Sequence, residues 1–295
     1  MANEMTSTLF ASVINAETIV EARLAFQKNA NLPGLVRVAD LTGLATAVAS
    51  FPVYVAATVT TPGSETTDVT TNSAITPTDV TLTVARKTIK ILPSDLGWAS
   101  SQDNVSARLG QIIGAARAKK VDGDICAVMT TNFTSSVGAT NSTAMTQALI
   151  QSALLTLETN EANENLGIVL HPKQWALLRD DFVLTSSSTA TDRSAQGQEV
   201  LNSGYLTLPL YGARVVVTPR VGTGTDTNDM YLGFIGNLSE AIGYAIKNVN
   251  ADLGLPEITT ERDESVGGTE VVMNYYDKAG IIRAAGLVLI KSQTY

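Results

Sequence analysis

The sequence predicts an α+β protein of about two domains, or one elaborate one. Three observations lead there. Two β-branched, alternating stretches flank a long Thr-rich segment between residues 51 and 86. One unbroken helical pattern runs over residues 100–131. Short strands and helices then follow one another to the end of the chain. A length of 295 residues suits this reading, at roughly 150 residues per domain.

Residues 1–50 read as an arm with short helices. Phe10, Val13 and Ile14, then Ile19, Val20 and Leu24, recur at helical spacing. Asn31-Leu32-Pro33-Gly34 breaks the pattern. Such helices are stable only when laid on another surface.

Residues 51–92 read as an extended two-stranded ribbon. Val53, Val55, Ala57 and Val59 share one face of the first strand, and Val80, Leu82 and Val84 share one face of the second. The tip between them, with Pro62 and Glu65, is almost empty of large apolar groups. After Arg86 the apolar parity moves to Ile89 and Ile91, which predicts a bulge or bend at the base. A ribbon of this kind is marginal in water. Its apolar face needs cover, from its own domain or from another copy of the chain.

The helix over 100–131 takes Ser101 as its N-cap, with Asp103 in the first turn. Val105, Leu109, Ile112, Ile113 and Ala116 form its apolar stripe. Gly110, Gly114 and Gly123 are expected to allow close packing against a sheet. Arg108, Arg117, Lys119 and Lys120 make it basic, as a solvated face or as a surface for nucleic-acid phosphates.

Residues 143–160 form an amphipathic helix with Met145, Leu149, Ala153 and Leu157 on one stripe. Residues 166–170 form a buried strand, followed by His171-Pro172 and a helix that turns Trp175 and Leu178 inward. Tyr211-Gly212-Ala213 is a turn leading into a strand. Residues 230–235, 240–247 and 258–262 are further strands. A hairpin is expected to close the chain, residues 269–276 pairing with 280–291 around Asp277-Lys278-Ala279-Gly280.

Site chemistry is sparse. With one cysteine, Cys126, no intrachain disulfide can form. With one histidine, His171, there is no His-rich metal site, and any Ser-His-Asp design would hang on that residue. His171 reads as a cap on the helix that follows, and Cys126 as a small buried hydrophobe. Glu158, Glu161 and Glu164 read as a solvated face. No nucleotide-binding, hydrolase-elbow or zinc motif occurs. No catalytic, cofactor-binding or metal residues are assigned, and no cofactor is expected. The net charge of -8 counts against a dedicated nucleic-acid reader. No run of about 18 apolar residues is present, so no membrane association is expected.

The order of these parts resembles the major capsid protein of tailed bacteriophages, with the Hong Kong 97 fold. The ribbon with Ile89-Lys90-Ile91-Leu92-Pro93-Ser94-Asp95-Leu96 looks like that family's extended loop and its base. The helix from Gln102 looks like its spine helix. Residues 169–178, with His171-Pro172 and Trp175, resemble its axial-domain strand, turn and helix, and residues 210–216 its following strand. The resemblance implies an N-terminal arm (1–50), an extended loop (51–92), a peripheral domain with the spine helix (93–142), an axial domain (143–256) and strands returning to the peripheral domain (257–295).

It also implies many copies of the chain tiling an icosahedral virion shell around double-stranded DNA, as pentamers and hexamers assembled in the host cytoplasm. The expected inter-subunit contacts are Val53, Val55, Val59, Pro62, Glu65, Val80, Leu82 and Val84. Arg108, Arg117, Lys119 and Lys120 are the candidate genome-facing residues, touching the packaged DNA non-specifically. A portal and a decoration protein are expected partners. Some members join a loop lysine to an asparagine; no lysine lies between Val53 and Ala85, so that crosslink is not expected. About 50 residues precede the ribbon, so a separate scaffolding protein, or none, is expected rather than a cleaved leader. The rival readings are an encapsulin-like nanocompartment shell and, in a different class, a secreted β-rich adhesive protein.

Overall fold

The computed structural model describes residues 7–54, 77–96, 104–138, 144–184, 210–222, 230–263, 265 and 267–293. In chain order it contains α1 (Ser7–Asn29), β1 (Arg37–Asp40), β2 (Val48–Val53), β3 (Thr78–Thr83), β4 (Ala85–Ile91), α2 (Val105–Thr131) and β5 (Ser135–Val137). Then come α3 (Gln147–Thr159), β6 (Gly167–Leu170), α4 (Pro172–Leu184), β7 (Arg214–Val217), β8 (Met230–Gly236) and α5 (Leu238–Ala241). Last are β9 (Ile242–Lys247), α6 (Val249–Asp252), β10 (Ile258–Asp263), β11 (Gly268–Ile281) and β12 (Leu287–Gln293).

Among the described residues the strands form two five-stranded sheets and the two-stranded pair β2–β3. The first sheet is built on β11. One edge of β11 holds β4, through Val271↔Ile91 to Asp277↔Ala85. Its other edge holds β10 and β9 end to end, since each overlaps β4 in register. β1 extends the sheet in parallel with β9. The second sheet has the order β5-β12-β8-β6-β7.

Strand alternation in the second sheet feeds two cores. Val169, Phe234, Leu287 and Leu289 face the core shared with α2, where Val121, Ile125, Cys126 and Met129 are buried. Ile168, Leu170, Ile235, Val288 and Ile290 face the opposite core, under α3 and α4. This double burial is why residues 167–170 read as a continuous apolar run. The expected stripe of α3 is in place: Met145, Leu149, Ala153 and Leu157 are all buried there, with Trp175 and Leu178 of α4.

The first core also contains Tyr244 and Ala279 from the first sheet, so α2 lies where the two sheets meet. Its N-cap is Asn104, whose Oδ1 accepts from Ala107 N at 3.3 Å. The expected cap, Ser101, and Asp103 lie outside the described residues. Ile112, expected in the apolar stripe, is 55% exposed.

Among the described residues of the arm there is one helix, α1, laid on the first half of α2 as its marginal stability requires, with β1 and the start of β2 after it. Gly110 and Gly114 serve this contact rather than a sheet. A Cβ on Gly110 would stand 2.5 Å from the Thr18 carbonyl oxygen, and one on Gly114 would meet the Ala22 carbonyl. At Gly123 nothing stands within 4 Å. The buried carboxylate of Asp122 accepts from Asn31 N and Leu32 N, each at 3.2 Å, and so holds the chain just past α1. Burial pushes this carboxyl above its ordinary pKa, and the two backbone N–H groups partly offset that.

Three connections differ from the expected ones. Residues 277–280 are not a turn. They continue β11 against β9, from Tyr276↔Lys247 to Ile281↔Ile242. The bend comes at residues 282–286, and β12 pairs with β8 and β5 rather than with β11. The closing residues therefore enter the second sheet, while β9, expected in the axial block 143–256, lies in the first. The ribbon limits shift too: β2 begins at Val48, and β4, expected inside the loop, is a strand of the first sheet.

Candidate functional site

The loop expected to make contacts between copies is rooted by two adjoining anchors. The first is steric. Gly243 and Gly280 stand opposite each other in the β9–β11 ladder. A Cβ on Gly243 would lie 3.1 Å from the Phe51 ring, and one on Gly280 would collide with Leu82 Cδ2. The paired glycines leave a notch that receives one side chain from each ribbon strand. Phe51 (2% exposed) and Leu82 (7%) fill it, with Leu41, Ala49 and Ala245 around them. Burying a side chain the size of Phe51 contributes about 1.5–3 kcal/mol.

The second anchor is ionic. β3 and β4 are separated by Val84 alone, so the ribbon strand breaks two residues before Arg86, after which the parity shift predicted a bulge or bend. Alternation places Lys87, Ile89 and Ile91 on one face of β4. Ile89 and Ile91 pack with Leu109 and Ile113 of α2. The Lys87 ammonium pairs with Asp124 of α2 at 2.6 Å and with Asp277 of β11. Asp277 is fully buried and also accepts from the Tyr244 hydroxyl at 2.9 Å. Lys120 reaches the other oxygen of Asp124 at 2.8 Å. Beside them the Arg117 guanidinium lies 4.6 Å from the Phe26 ring centre and 5.1 Å from that of Tyr275.

The pKa shifts follow from this packing. Burial would lower Lys87, but Asp124 and Asp277 outweigh it and hold the ammonium above its ordinary value. Burial would raise Asp124, but Lys120 and Lys87 draw it below the usual carboxylate range. The Tyr244 hydroxyl is pushed up by burial and by the Asp277 charge. The Lys87–Asp124 pair is therefore held in its charged form, and the cluster as a whole is a set of mechanical ties among α2, β4, β9 and β11.

The expected contact residues divide three ways. Val55, Val59, Pro62 and Glu65 lie outside the described residues. Val53, half-buried, pairs with Thr78 and lines an open cleft of about 720 Å³ with Arg37, Tyr54 and Arg283. Val80 and Val84 pack partly against the Phe51–Leu82 cluster, and Leu82 is buried in it. Leu82 is thus corrected: its own chain already covers it, because alternation turns that face of β3 onto β9 and β11.

The four basic residues of α2 do not form one stripe. At about 100° per residue, Arg108 and Lys119 fall within about 20° of each other, Lys120 stands about 120° from Arg108, and Arg117 is on the opposite side. Arg108 and Lys119 are exposed. Lys120 is engaged by Asp124, and Arg117 is inserted between two aromatic rings. Arg117 is therefore a packing residue.

His171 caps α4 as expected, its Nδ1 accepting from Lys173 N at 3.2 Å, with its ring 4.4 Å from that of Tyr231. Burial and Lys173 lower its pKa. Cys126 is 1% exposed, and burial, with the Asp122 charge, pushes its thiol up to about 12. Two polar groups escaped the sequence reading. Gln174, fully buried, donates to Tyr231 O at 3.0 Å and Ser292 Oγ at 2.8 Å, which ties α4 to the second sheet. Asp277 was hidden by the turn-like composition of Asp277-Lys278-Ala279-Gly280. Among the described residues no group of three or more His, Cys, Asp or Glu is placed to hold a metal, and no helix is long and apolar enough to cross a membrane.

Against this geometry stand the comparisons with known proteins. The family model described as phage capsid protein matches residues 95–290. A chain of Mycobacterium phage Che8 is 21% identical with a TM-score of 0.67, covering 88% of this chain and 90% of its own. The capsid of Ralstonia phage GP4 gives 10% identity and a TM-score of 0.66, covering 91% and 92%. The capsid of a native GTA particle gives 12% and 0.65, covering 90% and 91%. None of the curated protein sequences matches. The fold is the α+β Hong Kong 97 type.

Proposed function

Because the chain belongs to the phage capsid protein family, as a tailed-bacteriophage shell protein, we propose that its copies close into an icosahedral head of pentamers and hexamers around double-stranded DNA. The family match over residues 95–290 carries this reading, supported by capsid structures that share the fold across most of the chain. The match is to phage capsid proteins, which favours a phage head over a cellular nanocompartment or a secreted adhesive protein.

In this reading each extended loop lies over an adjacent subunit. The root is covered by its own chain, so the contact falls to the more distal residues, including Val55, Val59, Pro62 and Glu65. Arg108 and Lys119 are the candidates to meet packaged DNA, by phosphate contacts without sequence preference. A separate scaffolding protein, a portal and a decoration protein complete the particle, which assembles in the host cytoplasm. The protein acts by covering surface, not by catalysis.

Negative-stain electron microscopy of the purified protein tests the proposal. Closed shells or capsomers are expected; a dispersed monomer under all assembly conditions would overturn it. Val59→Asp is expected to abolish shells while leaving the circular dichroism and thermal midpoint of the subunit unchanged, because the charge falls on a face that only a neighbour desolvates.

A further inference from the structure

We propose that Lys87 is a positioning residue whose bonds to Asp124 and Asp277 fix the direction in which the extended loop leaves the subunit. Three observations combine. Only Val84 separates β4 from β3, so the orientation of β4 is passed directly to the loop strand. Lys87 is the point at which β4 is bonded both to α2, through Asp124, and to β11, through Asp277. The second loop strand, β2, is laddered to β3 but none of its residues carries a charge, and its contact with the body is the insertion of Phe51 beside Gly243. The loop root thus meets the body through a steric contact on one strand and a directional, charge-assisted tie on the strand continuous with the other.

The tie is well placed to act on orientation rather than on folding alone. Asp277 is fully buried and keeps its Tyr244 bond, so it anchors Lys87 from the floor of the site. Asp124 is only partly buried, on the spine helix, and sets the angle of Lys87 above that floor. Asp124 of α2 and Asp277 and Tyr275 of β11 surround the ammonium; behind them Lys120 reaches Asp124, Tyr244 reaches Asp277, and Arg117 lies over the Tyr275 ring. Severing Asp124 leaves the buried Lys87–Asp277 pair intact and removes the helix tie alone.

Asp124→Asn is therefore the deciding variant, read by amide hydrogen exchange on the purified subunit. Exchange in residues 77–92 is expected to rise about tenfold, with the second-sheet strands 167–170 and 230–236 unchanged. Lys120→Ala, which removes only the outer partner of Asp124, should leave residues 77–92 as in the parent. Lys87→Met, which breaks both ties, should raise exchange there beyond Asp124→Asn, and Lys87→Arg, which keeps the charge, should restore parent exchange. Parent-like exchange in residues 77–92 for Asp124→Asn overturns the proposal, as does loss of protection spread evenly over both sheets. The assembly arm rests on the shell reading: Asp124→Asn is expected to give open or misshapen particles where the parent gives closed ones. If the parent forms no particles while local exchange still responds, the tie stands and the shell reading falls.

Discussion

Gly280 stands directly across the β9–β11 ladder from Gly243, and the gap left by their two missing side chains is where Leu82 and Phe51 enter the body of the protein. The root of the loop is seated by what the sheet lacks. Filling the gap must therefore displace the root. Gly280→Ala is expected to destabilise the subunit by about 1–3 kcal/mol through overpacking, and Leu82→Ala by about 2–5 kcal/mol through the cavity it leaves. Urea unfolding of both variants measures this. In the double variant the new methyl occupies part of the space vacated by Leu82, so its loss should be smaller than the sum of the two.

The glycines of α2 should behave in opposite ways. Gly114→Ala pushes a methyl into the Ala22 carbonyl and should cost about 1–3 kcal/mol. Gly123→Ala meets open space and should stabilise by up to about 1 kcal/mol. A paired denaturation experiment in one buffer decides this; equal effects would mean that α1 does not rest on Gly114.

Asp124 predicts the form of the acid limb. Its carboxyl is held below the ordinary range, so it binds fewer protons folded than unfolded near pH 4. The stability this supplies is fully present above the unfolded value of about 3.9 and is lost as pH falls through the lower folded value. The thermal midpoint of Asp124→Asn should lie below that of the parent at neutral pH, and the gap should close as pH drops under about 4. A gap that widened on acidification would contradict the assignment.

Tyr244→Phe removes a single hydrogen bond to a fully buried carboxylate. The expected cost is about 1.5–3 kcal/mol, without change in the near-ultraviolet signature of the second sheet's aromatic residues.

Cys126 should resist thiol reagents in the folded subunit. With its thiol pushed up to about 12 and almost no exposed surface, neither thiolate nor access is available. Labelling by a disulfide reagent should follow the global unfolding transition in denaturant. Rapid labelling in buffer would show that the end of α2 opens independently.

Elements whose signals are local were legible in the sequence. The stripe of α3, the buried strand β6, the His171 cap and the break between β3 and β4 each depend on neighbours within a few residues. The turn at Tyr211 and Gly212 is of the same kind: both adopt positive φ, 51° and 77°, in a two-residue hairpin between Leu210 and Ala213. What the sequence concealed depends on distant partners. Gly280 resembled a turn glycine, but its lack of a side chain serves Leu82, about two hundred positions earlier. Gly110 and Gly114 announced a close approach without naming α1. Arg117 looked like part of a basic stripe because nothing nearby reveals Phe26 and Tyr275 on either side of it. The charged site was missed for the same reason, since Lys87, Asp124 and Asp277 meet only after three separate elements have packed.

The position of β12 has a consequence for biosynthesis. It lies between β5 and β8, inside the second sheet rather than at its margin. A ribosome must translate through residue 293 and release that stretch from its exit tunnel before the slot can fill. Unfinished polypeptides carry an open slot between β5 and the exposed edge of β8, so a nascent chain cannot reach its mature shape ahead of time.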